Sequence, residues 1–269
     1  CARGKARQSN TSKVSDTQAE YPGERLFVDL TGPFQESLTR NRYMAMAVDQ
    51  KTSRIFHYFQ KTKNQLVKNI EKLIEELGAR GFDVKFIRMD NGGENKALIE
   101  LCKRKGSVAE VTPPQTPQYN GVVERKFATI KCCSTSCMSV AGLEDEARGA
   151  LWAHAMDDNC IVHNILPHNG YANCYDPFNE KLPVKMEDLL PWGTMGEMKI
   201  PGKQKNFKDK SEPVRRVGYD LNHPSDCYLV QKVSNKQIVS TRDVTWATKY
   251  RVGKRVVQFD PATKAVTVK

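Results

Sequence analysis

Three short β-rich runs follow one another before any helical period appears, and this order constrains the fold more than any other feature of the chain. The first is Leu26-Phe27-Val28-Asp29-Leu30, stopped by Thr31-Gly32-Pro33; the second spans Tyr43 to Val48 and the third Ile55 to Phe59. Turn residues separate them, which predicts an antiparallel meander. The period then changes. Leu66, Ile70, Leu73, Ile74 and Leu77 fall at helical spacing, with Gly78 and Gly81 closing the segment. A fourth strand carries Val84, Phe86 and Ile87 and ends at Met89-Asp90; a short helix follows over roughly Lys96 to Lys105, then a fifth strand from Val108 to Val111. After a loop rich in Pro and Gln, one long helix is predicted from about Gly121 to Val140 and another from about Ala147 to Ile165. The order β-β-β-α-β-α-β-α-α predicts an α/β fold, a mixed five-stranded sheet flanked by helices.

The flanks of this core differ in character. Residues 1–20 are polar, with Arg3, Lys5, Arg7 and Lys13 among Ser, Thr and Gln, and read as a flexible lead-in. The core is expected over 21–166 and a linker rich in Pro, Gly and Asn over 167–195. A small β-rich module is expected over 196–250, with strand-like runs at Val214 to Tyr219, Cys227 to Val233, Gln237 to Ser240 and Asp243 to Trp246, and a basic, weakly patterned tail over 251–269. The chain begins at Cys1 rather than Met, so we read it as a piece of a longer protein.

Charge bears on the partner. The net charge is +11, and a field of that sign draws in polyanions without separating DNA from RNA or from an acidic protein. There is no apolar run of about 18 residues, so no membrane partner is expected. Nor is there a basic-then-apolar leader, so secretion is not expected and the eight cysteines read as free thiols. Cys132, Cys133 and Cys137 crowd one helix without a matching histidine set, and burial as small apolar side chains is the expectation there rather than metal binding.

Three acids stand out. Asp29 interrupts an apolar strand, Asp90 follows directly on another, and Glu124 lies in the first turn of a long helix. An acid in an apolar strand is costly without a partner. Strands 1 and 4 of a mixed sheet can bring Asp29 and Asp90 side by side. Their mutual repulsion is relieved by a divalent cation, and hard carboxylate oxygens suit Mg²⁺ or Mn²⁺. Two such ions about 3.5–4 Å apart can activate an attacking oxygen and stabilise a leaving one in phosphoryl transfer. For either aspartate alone, a salt bridge or turn contact is the commoner role.

The surrounding motifs shift that balance. Met89-Asp90-Asn91-Gly92-Gly93-Glu94 resembles the DNGGE block of copia-type retrotransposon integrases, and Thr116-Pro117-Gln118-Tyr119-Asn120-Gly121-Val122-Val123-Glu124-Arg125-Lys126 resembles their TPQ-x-NG-x-x-ER(K) block. Phe27 to Pro33 is similar to their first-aspartate strand, and Val48-Asp49 with Ser53-Arg54 to their second strand and turn. Leu151-Trp152-Ala153-His154-Ala155, Asn164-Ile165-Leu166-Pro167, Asp176-Pro177-Phe178, Arg216-Val217-Gly218-Tyr219, Cys227-Tyr228 and Ser240-Thr241-Arg242-Asp243-Val244 extend the likeness over roughly residues 1–250. Two departures are visible. Only 33 residues separate Asp90 from Glu124, a little fewer than the family pattern. Of the zinc-binding region expected ahead of this segment, only Cys1-Ala2-Arg3-Gly4-Lys5 resembles a remnant, so Zn²⁺ would belong to the longer protein with Cys1 as one ligand.

The resemblance implies an RNase H-like core and an integrase that trims 3′ DNA ends and joins them to target DNA. It implies Asp29, Asp90 and Glu124 as catalytic metal ligands for Mg²⁺ or Mn²⁺. The implied partners are double-stranded DNA and further copies of the chain. The implied setting is a cytoplasmic particle before integration and the nucleus during it. Gln118, Asn120, Lys126, Lys131, Lys203, Lys205 and Arg215 are the candidate DNA contacts. Lys131 shares a helix face with Glu124 and could hold a phosphate or be a solvated lysine, and Asn120 could also cap its helix. Gly92-Gly93 reads as tight backbone beside Asp90, Glu94 as local support in preference to an auxiliary acid, and Trp152 as core. From Lys199 to Arg216 seven basic residues face two acids, which argues weakly against the first alternative, a nuclease of the same fold. A catalytically inactive DNA-binding relic is the other.

Overall fold

The computed structural model describes residues 18–90, 92, 95–112, 120–185, 188–202, 206–223 and 226–247, and the backbone course of 251–252, 255–260 and 265–268. The elements are β1 (Arg25–Thr31), β2 (Tyr43–Asp49), β3 (Ile55–Gln60), α1 (Gln65–Ala79), β4 (Phe86–Met89), α2 (Lys96–Lys105), β5 (Val108–Val111), α3 (Gly121–Val140) and α4 (Asp145–Ile165). Five strands form one sheet in the order β3-β2-β1-β4-β5; β1, β2 and β3 pair antiparallel, while β4 is parallel to β1 and to β5. This is the mixed five-stranded sheet flanked by helices that the element order predicts.

Alternation along the strands sorts the core into two layers. Leu26 and Val28 of β1, with Ile87 and Met89 of β4, pack against Leu66, Ile70, Leu73 and Leu77 of α1 and Leu98 and Leu101 of α2. Phe27 points the other way and packs with Val123, Phe127 and Ile130 of α3 and Trp152 and Met156 of α4. Trp152 is in the core as expected. Its indole N–H donates to the Gln35 carbonyl at 2.8 Å, and its ring lies 4.7 Å from that of Phe34. Asp49 ends β2 fully buried and accepts from the Gly23 and Thr52 amides and the Thr52 hydroxyl, which fixes the β2–β3 turn.

The cysteine cluster departs from expectation. The buried stripe of α3 runs through Val123, Phe127, Ile130, Ser134 and Met138, a helical period that leaves Cys132 and Cys133 exposed and Cys137 half-buried. Cys102, Cys160 and Cys174 are buried thiols.

Residues after α4 are held to the core. Phe178 is fully buried in the α1 layer, and Arg54 lies over the rings of Phe56, Tyr175 and Phe178 while donating to Glu180 at 2.6 Å. Then come β6 (Met195–Lys199), β7 (Ser211–Tyr219), β8 (Tyr228–Lys232), β9 (Ile238–Thr241) and β10 (Val244–Trp246), an antiparallel sheet in the order β10-β6-β7-β8-β9. Val239 and Val244, from its two edge strands, share one apolar cluster with Met198, Val214 and Val230, so the sheet curls on itself. Three further strands, β11 (Arg251–Val252), β12 (Arg255–Asp260) and β13 (Ala265–Val268), follow where the sequence shows only a weakly patterned tail.

The curled sheet docks on α3 and α4. Trp192, Val217, Leu229 and Ile238 pack with Met138, Leu151 and Ala155. At the centre of this junction Arg216 is fully buried on β7 and forms a two-pronged ion pair with Asp158 of α4, at 2.6 and 3.3 Å. Burial pushes the Asp158 carboxyl up, and the Arg216 charge opposes that. Asp158→Ala would leave a buried guanidinium unpaired and is expected to cost about 3–5 kcal/mol. Urea unfolding checks it, as a lower midpoint with the slope unchanged; replacing both partners by apolar residues should recover most of the loss.

Candidate active site

The parallel pairing of β1 with β4 places the first two acids. Arg25 pairs with Phe86, Leu26 with Ile87 and Phe27 with Arg88. Carried on by two residues, that register sets Asp29 beside Asp90. The faces agree. Val28 and Met89 belong to the α1 layer, so their successors Asp29 and Asp90 project to the side of α3. Arg88, two residues before Asp90, lies over the Phe27 ring on that same side, 5.4 Å away.

Local structure after β4 holds the Asp90 carboxylate. Asp90 Oδ1 accepts from the Gly92 amide at 3.2 Å and from the Asn95 side-chain amide. Asn95 also donates to the Asp90 carbonyl at 2.9 Å. A Cβ on Gly92 would lie 3.2 Å from the same Oδ1, so the glycine permits this close approach. Asp29 Oδ1 accepts from the Leu30 amide at 2.8 Å. Asp29 is half-buried, and Asp90 and Glu124 are exposed.

Glu124 is brought to this edge by α3. Asn120 is at the N-cap position, but its side chain makes no capping bond. It is buried at 1% exposure and donates instead to the Val28 carbonyl at 3.5 Å, tying the start of α3 to the residue before Asp29. Val123 is buried against Phe27, and Glu124 follows it on the outer side. The structure thus sets Asp29 of β1 beside Asp90, the residue after β4, and ties the start of the Glu124 helix to β1.

The donor set is all hard oxygen and fits Mg²⁺ or Mn²⁺ in kind. Among the described residues no three His, Cys, Asp or Glu side chains already stand close enough together to hold a metal. Residues 113–119, which lead into α3, lie outside the described residues.

The other candidates scatter. Gln118, Lys203, Lys205 and Cys1 lie outside the described residues, as do Asn91, Gly93 and Glu94. Lys131 is exposed on α3, its ammonium 5.8 Å from the Phe34 ring centroid. Arg215 is half-buried on β7, paired in register with Met195 and Gln231. Lys126 turns toward α4. Its Nζ is 3.3 Å from His163 Nε2 of α4, and that nitrogen is 3.1 Å from the Ser53 carbonyl. Burial holds the Lys126 ammonium below the usual lysine range. Position 126 is about 200° round the helix from Glu124, which explains the opposite direction. Sequence reading missed the roles of Asn95 and His163; the first could have been seen in its spacing from Asp90, the second has no local signal.

The comparisons with known proteins agree with the motifs. No family model matches the chain. The chain is 28% identical over 229 residues to the retrovirus-related Pol polyprotein from transposon TNT 1-94 of Nicotiana tabacum, covering 82% of this chain and 17% of that protein. It is 26% identical over 247 residues to the Pol polyprotein from transposon RE2 of Arabidopsis thaliana, covering 88% and 16%. These relatives, like that from transposon RE1 of Arabidopsis thaliana at 26% identity over 240 residues, are retrovirus-related Pol polyproteins of transposons. The chain spans about one sixth of the length of these curated relatives. Among solved structures, an intasome of simian T-cell lymphotropic virus in complex with a PP2A regulatory subunit aligns with 91% of this chain and 86% of that one, at 16% identity and a TM-score of 0.49. The catalytic core domain of BIV integrase aligns with 58% of this chain and 94% of that one, at 21% identity and a TM-score of 0.40.

Burial and the nearby Lys126 charge hold the His163 imidazole down at about 4, against an ordinary value of 6.5. Between those two pH values the unfolded chain takes up a proton that the folded chain refuses. His163 therefore removes stability as pH falls from about 6.5 to about 4. His163→Gln is expected to flatten that part of the stability curve by up to about 1.4 kcal/mol per pH unit. Denaturant melts across that range check it, and an unchanged slope would contradict a buried neutral imidazole.

Proposed function

We propose that the chain is the catalytic portion of a retrotransposon integrase, a DDE-type polynucleotidyl transferase that trims 3′ ends of element DNA and joins them to target DNA. The observation that carries this reading is the juxtaposition of Asp29 and Asp90 by the β1–β4 register, with the Glu124 helix anchored to the same strand through Asn120. The motifs around these acids and the homologous Pol polyproteins point the same way.

In this proposal Asp29, Asp90 and Glu124 hold Mg²⁺ or Mn²⁺, which when bound supplies charge stabilisation for an attacking and a leaving oxygen. The chain's own part is positional. The β1–β4 pairing, carried on by two residues, sets the backbones of Asp29 and Asp90 side by side, and the rotamer of each side chain then sets where its carboxylate lies. Gly92 and Asn95 hold one oxygen of Asp90 by hydrogen bonds, which limits rotation of the carboxylate. Exposure of Asp90 and Glu124 leaves the edge open to a large substrate. The proposed partners are double-stranded DNA, favoured by a net charge of +11, and further copies of the chain.

A disintegration assay with Mn²⁺, in which a branched DNA mimic of the joined product is resealed, tests the proposal. Asp29→Asn, Asp90→Asn and Glu124→Gln are each expected to lower resealing by more than about a hundredfold, the loss of several kcal/mol of charge stabilisation. DNA binding should change little. Full activity of Asp90→Asn would overturn the assignment, and cleavage without resealing would favour a nuclease.

A further inference from the structure

The β6–β7 connection carries a phenylalanine that the fold does not use. Phe207 has a relative exposure of 108%, so its ring stands fully in solvent. Its φ of 63° puts it in the left-handed region, where a bulky side chain is strained and an asparagine, such as the preceding Asn206, would fit at lower cost. Exposed cations surround it in the chain: Lys199 at the end of β6, and Lys208 and Lys210 just before β7. Among the described residues none of these three lysines is in a salt bridge, and Asp209 is the one acid from Asn206 to Lys210.

A ring kept in water on a segment rich in exposed lysines suits a polyanion that also offers flat apolar faces. Double-stranded DNA has both, phosphates along its rim and stacked bases between them. A merely acidic protein surface satisfies the lysines and leaves the ring without a partner. We propose that the segment 206–210 is a DNA wedge, in which Phe207 inserts against or between base pairs while Lys208 and Lys210, with Lys199 at the end of β6, hold the flanking phosphates. This rests on the DNA reading above and names the element that deforms the duplex. No bond is made or broken by the wedge; it acts by stacking and charge alone.

The test uses the full chain and a short duplex carrying 2-aminopurine at pyrimidine–purine steps, which unstack most readily. Binding by the parent is expected to raise the 2-aminopurine fluorescence. Phe207→Ala should abolish the rise and weaken binding about tenfold while leaving the salt dependence unchanged. Phe207→Trp should keep both the rise and the affinity. Lys208→Ala should keep the rise but lower the salt slope by about one. Equal thermal midpoints of the variants show that the fold is intact. A parent that leaves the duplex unbound overturns the DNA reading and the wedge together. A parent that binds, with Phe207→Ala giving the same rise and affinity, overturns the wedge alone.

Discussion

Two acids can serve one ion only where a rigid frame sets their backbones side by side. Here the frame is the parallel ladder between β1 and β4. Its hydrogen bonds fix which residue of one strand stands beside which of the other, and the two-residue alternation of the strands then fixes the face. Leu26, Val28, Ile87 and Met89 occupy the α1 layer, so the register cannot slip by one residue without turning apolar side chains out of the core. The apolar layer therefore enforces the placement of Asp29 and Asp90 indirectly. Glu124 depends on the same frame, since α3 is seated on Phe27 by Val123, Phe127 and Ile130 and tied to Val28 by Asn120.

The second sheet is built onto this scaffold. The Asp158–Arg216 pair lies within an apolar junction, and a buried ion pair is a poor source of net stability but a strong specifier of geometry, since any other docking leaves both charges unpaired. Arg216 also lies over the Tyr219 ring at 3.9 Å, so β7 presents the guanidinium in a single orientation. The basic loop between β6 and β7 thus extends from a sheet that is fixed to α4. The inward turn of Lys126 follows from the same helix phase. One turn of α3 directs an acid outward and, two residues later, a lysine into the junction with α4.

Much of this was legible in the sequence, for identifiable reasons. Core elements declared themselves because each has a strong period. Leu66 to Leu77 gives a helix, and the observed α1 runs over Gln65–Ala79. β7 to β10 were legible from β-branched and aromatic residues between turn signals. β6 was not. Its sequence Met-Gly-Glu-Met-Lys has no β-branched residue, and it is a strand because β7 and β10 pair with it on either side. The acids were legible as single residues in unusual places. Their side-by-side placement needed the strand order. The Asp158–Arg216 pair and the Lys126–His163 contact join residues far apart in sequence, and no local pattern signals either. The expected burial of Cys132 and Cys133 failed because grouping in sequence was read without the helical phase that Phe127, Ile130 and Ser134 set.

In the proposed function the β1–β4 register makes a divalent-metal site of Asp29, Asp90 and Glu124. Electron paramagnetic resonance of Mn²⁺, titrated into the chain bound to a DNA duplex, reads that site without requiring turnover. The parent is expected to bind tightly, with spectral broadening from two neighbouring ions, and Asp90→Asn to lose both the tight binding and the broadening. Indistinguishable Mn²⁺ binding by the parent and Asp90→Asn would contradict it.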